Sequence, residues 1–221
     1  MKTLHVGPSL VEQVHEAVLT EIAGGRWLPG ARIIQEQLAA QLGVSRQPVQ
    51  QALTLLRKEG VLSDAPGRGL QVAPLDLDHV RHMYELRAVI EGLAFRTAAT
   101  HSAAEVARRS PALIAAGRKA VAAQSFTAMI AADMALHHCI YTHSGNPLVA
   151  PAMQTHWTQT QRVMGEVLMR GDKPRDIWDQ HEALLQAVAA GKGLLAEKLA
   201  RQHILEAADF MIQRLRAEQK P

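Results

Sequence analysis

Two groups of residues in this 221-residue chain have the types and spacing to do chemistry. Asp133 and His137 stand four apart, so a helix would carry both on one face, one turn from each other. His181 and His203 follow on later segments. One carboxylate and three imidazoles form a nitrogen–oxygen set suited to zinc, nickel, cobalt or manganese, with coordination positions left open. With eleven histidines such a foursome arises easily, so spacing alone leaves a metal and a set of ordinary helix histidines both open. The second group is Arg46, Gln47, Gln50, Gln51 and Thr54, the polar face of a helix that opens after Ser45. An arginine there can fork onto guanine and a glutamine can bond adenine edges, while the helix amino end favours phosphate. Arg68, set between Gly67 and Gly69, is placed to reach a neighbouring groove or phosphate as a wing. An idle, solvated polar face fits the same spacing.

Those side chains need elements to hold them. Ser9-Leu10-Val11-Glu12 has the form of a capping box, and Leu10, Val14, Val18 and Ile22 recur at helical spacing up to Gly24-Gly25. After a turn at Trp27-Leu28-Pro29-Gly30, a short helix over Gln35–Leu42 is predicted, buried through Leu38, Ala39 and Leu42. The tight turn Leu42-Gly43-Val44-Ser45 leads into a helix capped by Ser45, running to Glu59 and buried through Val49, Ala52, Leu53 and Leu56. Two helices so joined have the layout of a helix-turn-helix. Val61-Leu62 and Leu70-Gln71-Val72 read as two strands joined by the loop that carries Gly67 and Arg68.

From Ala73-Pro74-Leu75-Asp76 onward only helices are predicted. Met83, Leu86, Ile90 and Leu93 form the expected buried stripe of the first. Ser102-Ala103-Ala104-Glu105 reads as a second capping box, opening a helix that Ser110-Pro111 should kink or divide. Ser125 caps a helix to about Ser144, ahead of Gly145-Asn146-Pro147. Further helices are expected near 148–170, 174–190 and 194–218, separated by Gly171-Asp172 and Gly191-Lys192-Gly193. The fold class is mainly α: a winged helix-turn-helix over 1–74 and an all-helical bundle of six to seven helices over 75–221.

Composition narrows the function classes. Apolar residues are 48% and charged residues 20%, the balance of a folded chain. No apolar run approaches the roughly 18 residues of a membrane span, and Glu12 and Glu16 interrupt the start where a signal peptide needs an apolar core. The single Cys139 excludes an internal disulfide and points to a reducing, cytoplasmic setting; two residues past His137, it should face away from that ligand. Residues 1–74 hold seven Lys/Arg against six Asp/Glu, so DNA binding must rest on where charges sit. Of eight aromatic residues only Trp27 precedes residue 75, which argues against base stacking on single strands. Trp157 and Trp178 read as core or dimer-interface residues.

Gly30-Ala31-Arg32-Ile33-Ile34, Leu38-Ala39-Ala40-Gln41-Leu42-Gly43-Val44-Ser45-Arg46-Gln47-Pro48-Val49 and Glu59-Gly60, closed by Arg68-Gly69, resemble the winged helix-turn-helix of GntR-family transcriptional regulators over residues 8–74. The resemblance implies DNA contacts at Ser45, Arg46, Gln47, Gln50, Gly67 and Arg68. Gln50-Gln51 stand where that family usually has Arg-Glu, and Gln35 where it favours Glu. An operator with adenine opposite Gln50, unlike the usual one, is therefore expected. Asp133-Met134-Ala135-Leu136-His137, Ser144-Gly145-Asn146-Pro147-Leu148, His181 and His203 resemble the FadR C-terminal (FCD) effector domain over 76–218. In that family's metal-containing branch the Asp-x-x-x-His pair and two later histidines hold a divalent ion. All four positions are occupied here, which implies zinc or nickel foremost; Leu136 replaces the usual phenylalanine. Family effectors are often small organic acids, and Arg87 and Arg162 are candidates to hold a carboxylate. The alternative pairs each arginine with its i+4 neighbour, Glu91 or Glu166. His138, His143 and His156 are left as surface or supporting residues.

An enzyme using metal-activated water is the main rival. His181-Glu182-Ala183-Leu184-Leu185 comes near a zincin helix but has Leu185 where the second histidine belongs. No G-x-S-x-G, Walker loop or C-x-x-C is present. A metal-storage or other interaction module would leave the polar face at 46–54 idle. The expectation is a ligand-responsive transcriptional regulator and not an enzyme. It would be a homodimeric repressor on double-stranded operator DNA, its helical domain holding a divalent metal and a small carboxylate effector, with no membrane partner.

Overall fold

The computed structural model describes residues 7–168 and 177–217, apart from the Thr155 side chain. The expected Gly171-Asp172 break, and residues 169–170, 174–176 and 218 of the predicted helices, lie outside the described residues. The chain forms two compact units that divide between Leu75 and Asp76.

In the first unit, α1 (Leu10–Ala23) opens on a formed capping box: Ser9 Oγ accepts from Glu12 N, and Glu12 Oε2 accepts from Ser9 N at 2.7 Å. Helices α2 (Gln35–Leu42) and α3 (Arg46–Lys58) are joined through Gly43 in the left-handed region. Three short strands, β1 (Arg32–Ile33), β2 (Leu62–Asp64) and β3 (Leu70–Val72), pair antiparallel in the order β1-β3-β2. Two residues are too few for an alternating pattern to register, so β1 had no sequence signal. The core joins Val14, Val18 and Ile22 of α1 to Val49, Leu53 and Leu56 of α3. Leu10 and Leu42, expected inside, are 54% and 37% exposed because each sits at the end of its helix, past the reach of that core. Ser45 holds the cap position of α3, yet its hydroxyl makes no capping hydrogen bond.

The second unit holds α4 (Leu77–His101), α5 (Ala103–Ala122), α6 (Phe126–His143), α7 (Val149–Leu168), α8 (Ile177–Ala189) and α9 (Gly193–Ala217). The two longest, α4 and α9, pack along each other, and α5 packs on α6 and α8. The buried face of α4 runs through Val80, Met83, Tyr84, Arg87, Ala88, Glu91, Phe95 and Ala98. The predicted stripe is thus rotated: Leu86 is 56% exposed, and Ile90 and Leu93 are half-buried. An ion pair, Arg87 with Glu91, takes the inward positions that an apolar count passes over. Pro111 does not divide α5, and Ser110 Oγ donates to the Val106 carbonyl one turn back. The box at Ser102 fails; its backbone is not extended as a cap requires, and Glu105 turns to Arg108 and Arg109. Trp157 and Trp178 both lie in the core.

Candidate nucleic-acid interface and metal centre

In the first unit, Ser45, Arg46, Gln47, Gln50, Gly67 and Arg68 are all exposed. Burial of Val49, Ala52, Leu53 and Leu56 fixes which face of α3 is inside, and the opposite face presents Arg46, Gln47 and Gln50 to solvent. Arg46 Nη2 lies 2.9 Å from Glu36 Oε1 on α2, and Gln35 Nε2 donates to the Arg46 carbonyl at 3.4 Å. Glu36 was not singled out in the sequence, since its pairing runs across the turn between two helices. The wing turn stands on Gly67 and Gly69, with φ of 89° and 94°, a backbone region that strains any residue with a Cβ. Arg32 Nη2 donates to the Pro66 carbonyl at 2.6 Å, tying β1 to the turn that carries Arg68.

In the second unit, α6, α8 and α9 bring His137, His181 and His203 together, with one ligand atom from each within 4.8 Å of the others. All three are buried, at 1%, 0% and 5% exposure. Asp133, one turn before His137, places Oδ1 3.3 Å from His181 Nε2. Both ring nitrogens of His181 are buried; among the described residues Nδ1 has no hydrogen-bond partner and Nε2 has only the loose Asp133 contact. An orphaned imidazole of this kind is costly unless something else satisfies it. Nitrogen and oxygen ligands of one divalent ion stand about 3–4 Å apart, given metal–ligand bonds near 2.1 Å, so small side-chain adjustments would bring these atoms around a cation. The residues fit the ion that the resemblance implied.

Two residues that the sequence did not reveal as supports orient the histidines. Gln180 Oε1 stands 2.8 Å from His203 Nδ1, and Glu91 Oε2 stands 2.5 Å from His137 Nδ1. Each contact leaves Nε2 as the nitrogen turned to a ligand. Trp178 lies edge-on to His181 with ring centroids 4.7 Å apart. It can do so because position 117 is glycine: a Cβ there would come within 2.0 Å of the indole.

The electrostatics ready two of the three imidazoles for a cation. Burial, reinforced by the neighbouring His203 and His137, pushes His181 well below the usual histidine range. Burial, with His137 beside it, pushes His203 down to about 3. Both are therefore neutral bases at physiological pH, the form that binds metal. Burial also raises Asp133. Glu91 would be raised by its burial, but the Arg87 guanidinium together with His137 outweighs that and holds it down to about 2. Burial acts against charge on His137 as well, and Glu91 more than compensates, leaving that ring raised.

A cavity of about 310 Å³ adjoins this cluster and is lined by Arg87, Asp133, His137, Thr160, Gln180, His203, Glu206 and a larger set of apolar side chains. Arg87 makes the i+4 pair with Glu91 that one of the two readings expected. Its Nε donates to Glu91 at 2.8 Å and its Nη1 to Thr160 at 2.9 Å, while it also borders the cavity. Arg162 does not line the cavity; it is buried with Nε 3.8 Å from Glu166 Oε1. The reason is helical phase, because Thr160, Met164, Val167 and Leu168 of α7 line the cavity and position 162 lies across the helix from 160 and 164. Cys139 is half-buried beside His143, with its thiol raised by burial, and His138 is exposed.

No described helix is long and apolar enough to cross a membrane. Residues 10–72 match the family described as bacterial regulatory proteins, gntR family, and residues 82–206 match the FCD domain. An HTH-type transcriptional regulator from an unstable DNA locus of Streptomyces ambofaciens is 30% identical over 190 residues, covering 86% of this chain and 79% of that protein. The "Probable D-xylose utilization operon transcriptional repressor" of Paenarthrobacter nicotinovorans is 27% identical over 199 residues, 89% of this chain and 86% of that one. Among solved structures, E. coli McbR/YncC shares the fold, with a TM-score of 0.79 at 22% identity over 94% of this chain and 99% of its own. The families and these relatives are transcriptional regulators, not enzymes. With an exposed helix-turn-helix edge in one unit and an FCD bundle as the other, the chain belongs to the gntR family of bacterial regulatory proteins and is a DNA-binding transcriptional regulator.

Proposed function

We propose that this regulator is a homodimeric repressor whose helical unit binds a divalent metal, zinc or nickel foremost, together with a small organic acid. The observation that carries the reading is the convergence of three buried histidines, two of them held neutral by burial, beside Asp133 and a cavity. Asp133, His137, His181 and His203 would hold the ion, which when bound supplies an open coordination position and positive charge for an acid. Arg87 borders the same cavity, and neither of its bonds to Glu91 and Thr160 uses Nη2, so it is placed to receive the carboxylate. On the DNA side, Ser45, Arg46, Gln47 and Gln50 would enter the major groove, with Gly67 and Arg68 at the neighbouring backbone or groove. The exposed apolar pair Leu86 and Val89 on α4 suits burial against a second copy. Repression rests on the name of one relative, and its release by acid on a shift between DNA-competent and incompetent arrangements.

The test is elemental analysis of untagged protein purified without chelator. About one divalent ion per chain is expected, and His181→Ala combined with His203→Ala should remove it while circular dichroism stays that of a folded helical protein. Full metal content in the folded double variant would refute the ligand set.

A further inference from the structure

The cavity beside the histidines has an uneven chemistry. Its polar groups fall in two places: Arg87 bonds Thr160 directly and reaches His137 through Glu91, with Asp133 against His181, while Gln180 stands beside His203 and donates to Glu206 at 3.4 Å. Much of the remaining wall is apolar, from Met129 of α6, Met164 and Leu168 of α7, and Ile204, Phe210 and Met211 of α9. A ligand seated there meets charge and hydrogen-bond donors with one part and hydrocarbon or thioether with the rest. Away from Gln180 and Glu206, hydroxyl groups set against those hydrocarbon and thioether side chains would give up their bonds to water and find no replacement. Methylene or aryl groups would gain from leaving water, and flexible methionine side chains adapt to their outline.

Resting on the reading of this cavity as the effector site, we propose that the effector is a monocarboxylate with an apolar body, a short fatty acid or an aryl acid. Sugar acids and polycarboxylates are disfavoured, although one relative's name refers to sugar utilisation. The head group belongs at Arg87 on the side of the histidines that would hold the ion, and the body lies along Met164, Ile204 and Phe210. Net affinity then follows apolar area, not hydroxyl count.

Calorimetric titration of metal-loaded, full-length protein with butyrate, hexanoate, octanoate, octanamide, phenylacetate, gluconate and citrate tests this. Dissociation constants should fall roughly fourfold per added methylene until the cavity is filled. Octanoate and phenylacetate should bind at least about tenfold tighter than gluconate and citrate, as several buried methylenes require, and octanamide should bind far more weakly than octanoate. Met164→Gln, nearly the same size, should weaken octanoate roughly tenfold with metal content unchanged. Gluconate or citrate binding as tightly as octanoate, a flat chain-length series, an indifferent Met164→Gln or equal binding of the amide would overturn the proposed class while leaving an effector site in place. Failure of every acid to bind would overturn both this inference and the effector reading beneath it.

Discussion

At the scale of single residues, two ion pairs carry very different weight. Arg46 and Glu36 are 72% and 67% exposed, so their contact contributes little to stability and leaves the guanidinium available. Arg46→Ala should therefore leave folding intact and cost operator binding about 1–3 kcal/mol per half-site, the worth of a bidentate base contact. A fluorescence-anisotropy titration with operator DNA would measure it, and undiminished affinity would contradict the reading role. Arg87 and Glu91 are almost wholly buried, and Glu91 also touches His137. Glu91→Gln should lower stability by about 3–5 kcal/mol, because Arg87 loses its counter-charge. It should also weaken metal binding roughly 10–100-fold by releasing the His137 ring. Chelator competition at low temperature reads the second effect on the folded fraction, and an unchanged constant would rule out an orienting role. The i+4 spacing made the Arg87–Glu91 pair legible in the sequence, but the reach of Glu91 to another helix was not.

Among elements, one motif written twice had two outcomes. Ser9 and Glu12 satisfy each other's backbone donors at the start of α1, where the preceding backbone is extended. Ser102 both ends α4 and precedes α5, its backbone is not extended, and two arginines capture Glu105. A capping box is thus a local signal that neighbours can override. In the first unit, His15 of α1 and Glu59 just past α3 meet at 2.8 Å, and that hydrogen bond raises the His15 pKa against the opposing effect of burial. A raised histidine contributes stability that is full below its unfolded value, roughly 6.5, and is lost as pH rises through the higher folded value. Urea unfolding of the protein and of His15→Gln should accordingly differ by about 0.5–1 kcal/mol at pH 6 and converge by about pH 8.5. A gap of the same size at both values would show that the pair does not titrate.

For the whole molecule, a gntR-family helix-turn-helix unit and an FCD unit share one chain. If two copies dock two such units on one duplex, several phosphates are neutralised at once. Affinity should then fall about 10³-fold or more between 50 and 200 mM salt, and a flat salt titration would exclude that docking. The mainly helical class, the helix-turn-helix edge at 45–50 and the four ligand-type residues were legible in the amino-acid order. Helical spacing, caps and the Leu42–Ser45 turn are local, and each acts within a few residues of itself. That three histidines from α6, α8 and α9 converge, that Glu91 and Gln180 contact two of them, and that Arg87 borders the cavity while Arg162 does not, emerges once the helices are packed. Those facts depend on which face each helix turns inward. Packing of the whole bundle sets that rotation, as the misplaced α4 stripe shows: Arg87 and Glu91 lie on its inward face, and Leu86, which apolar spacing had pointed inward, is exposed.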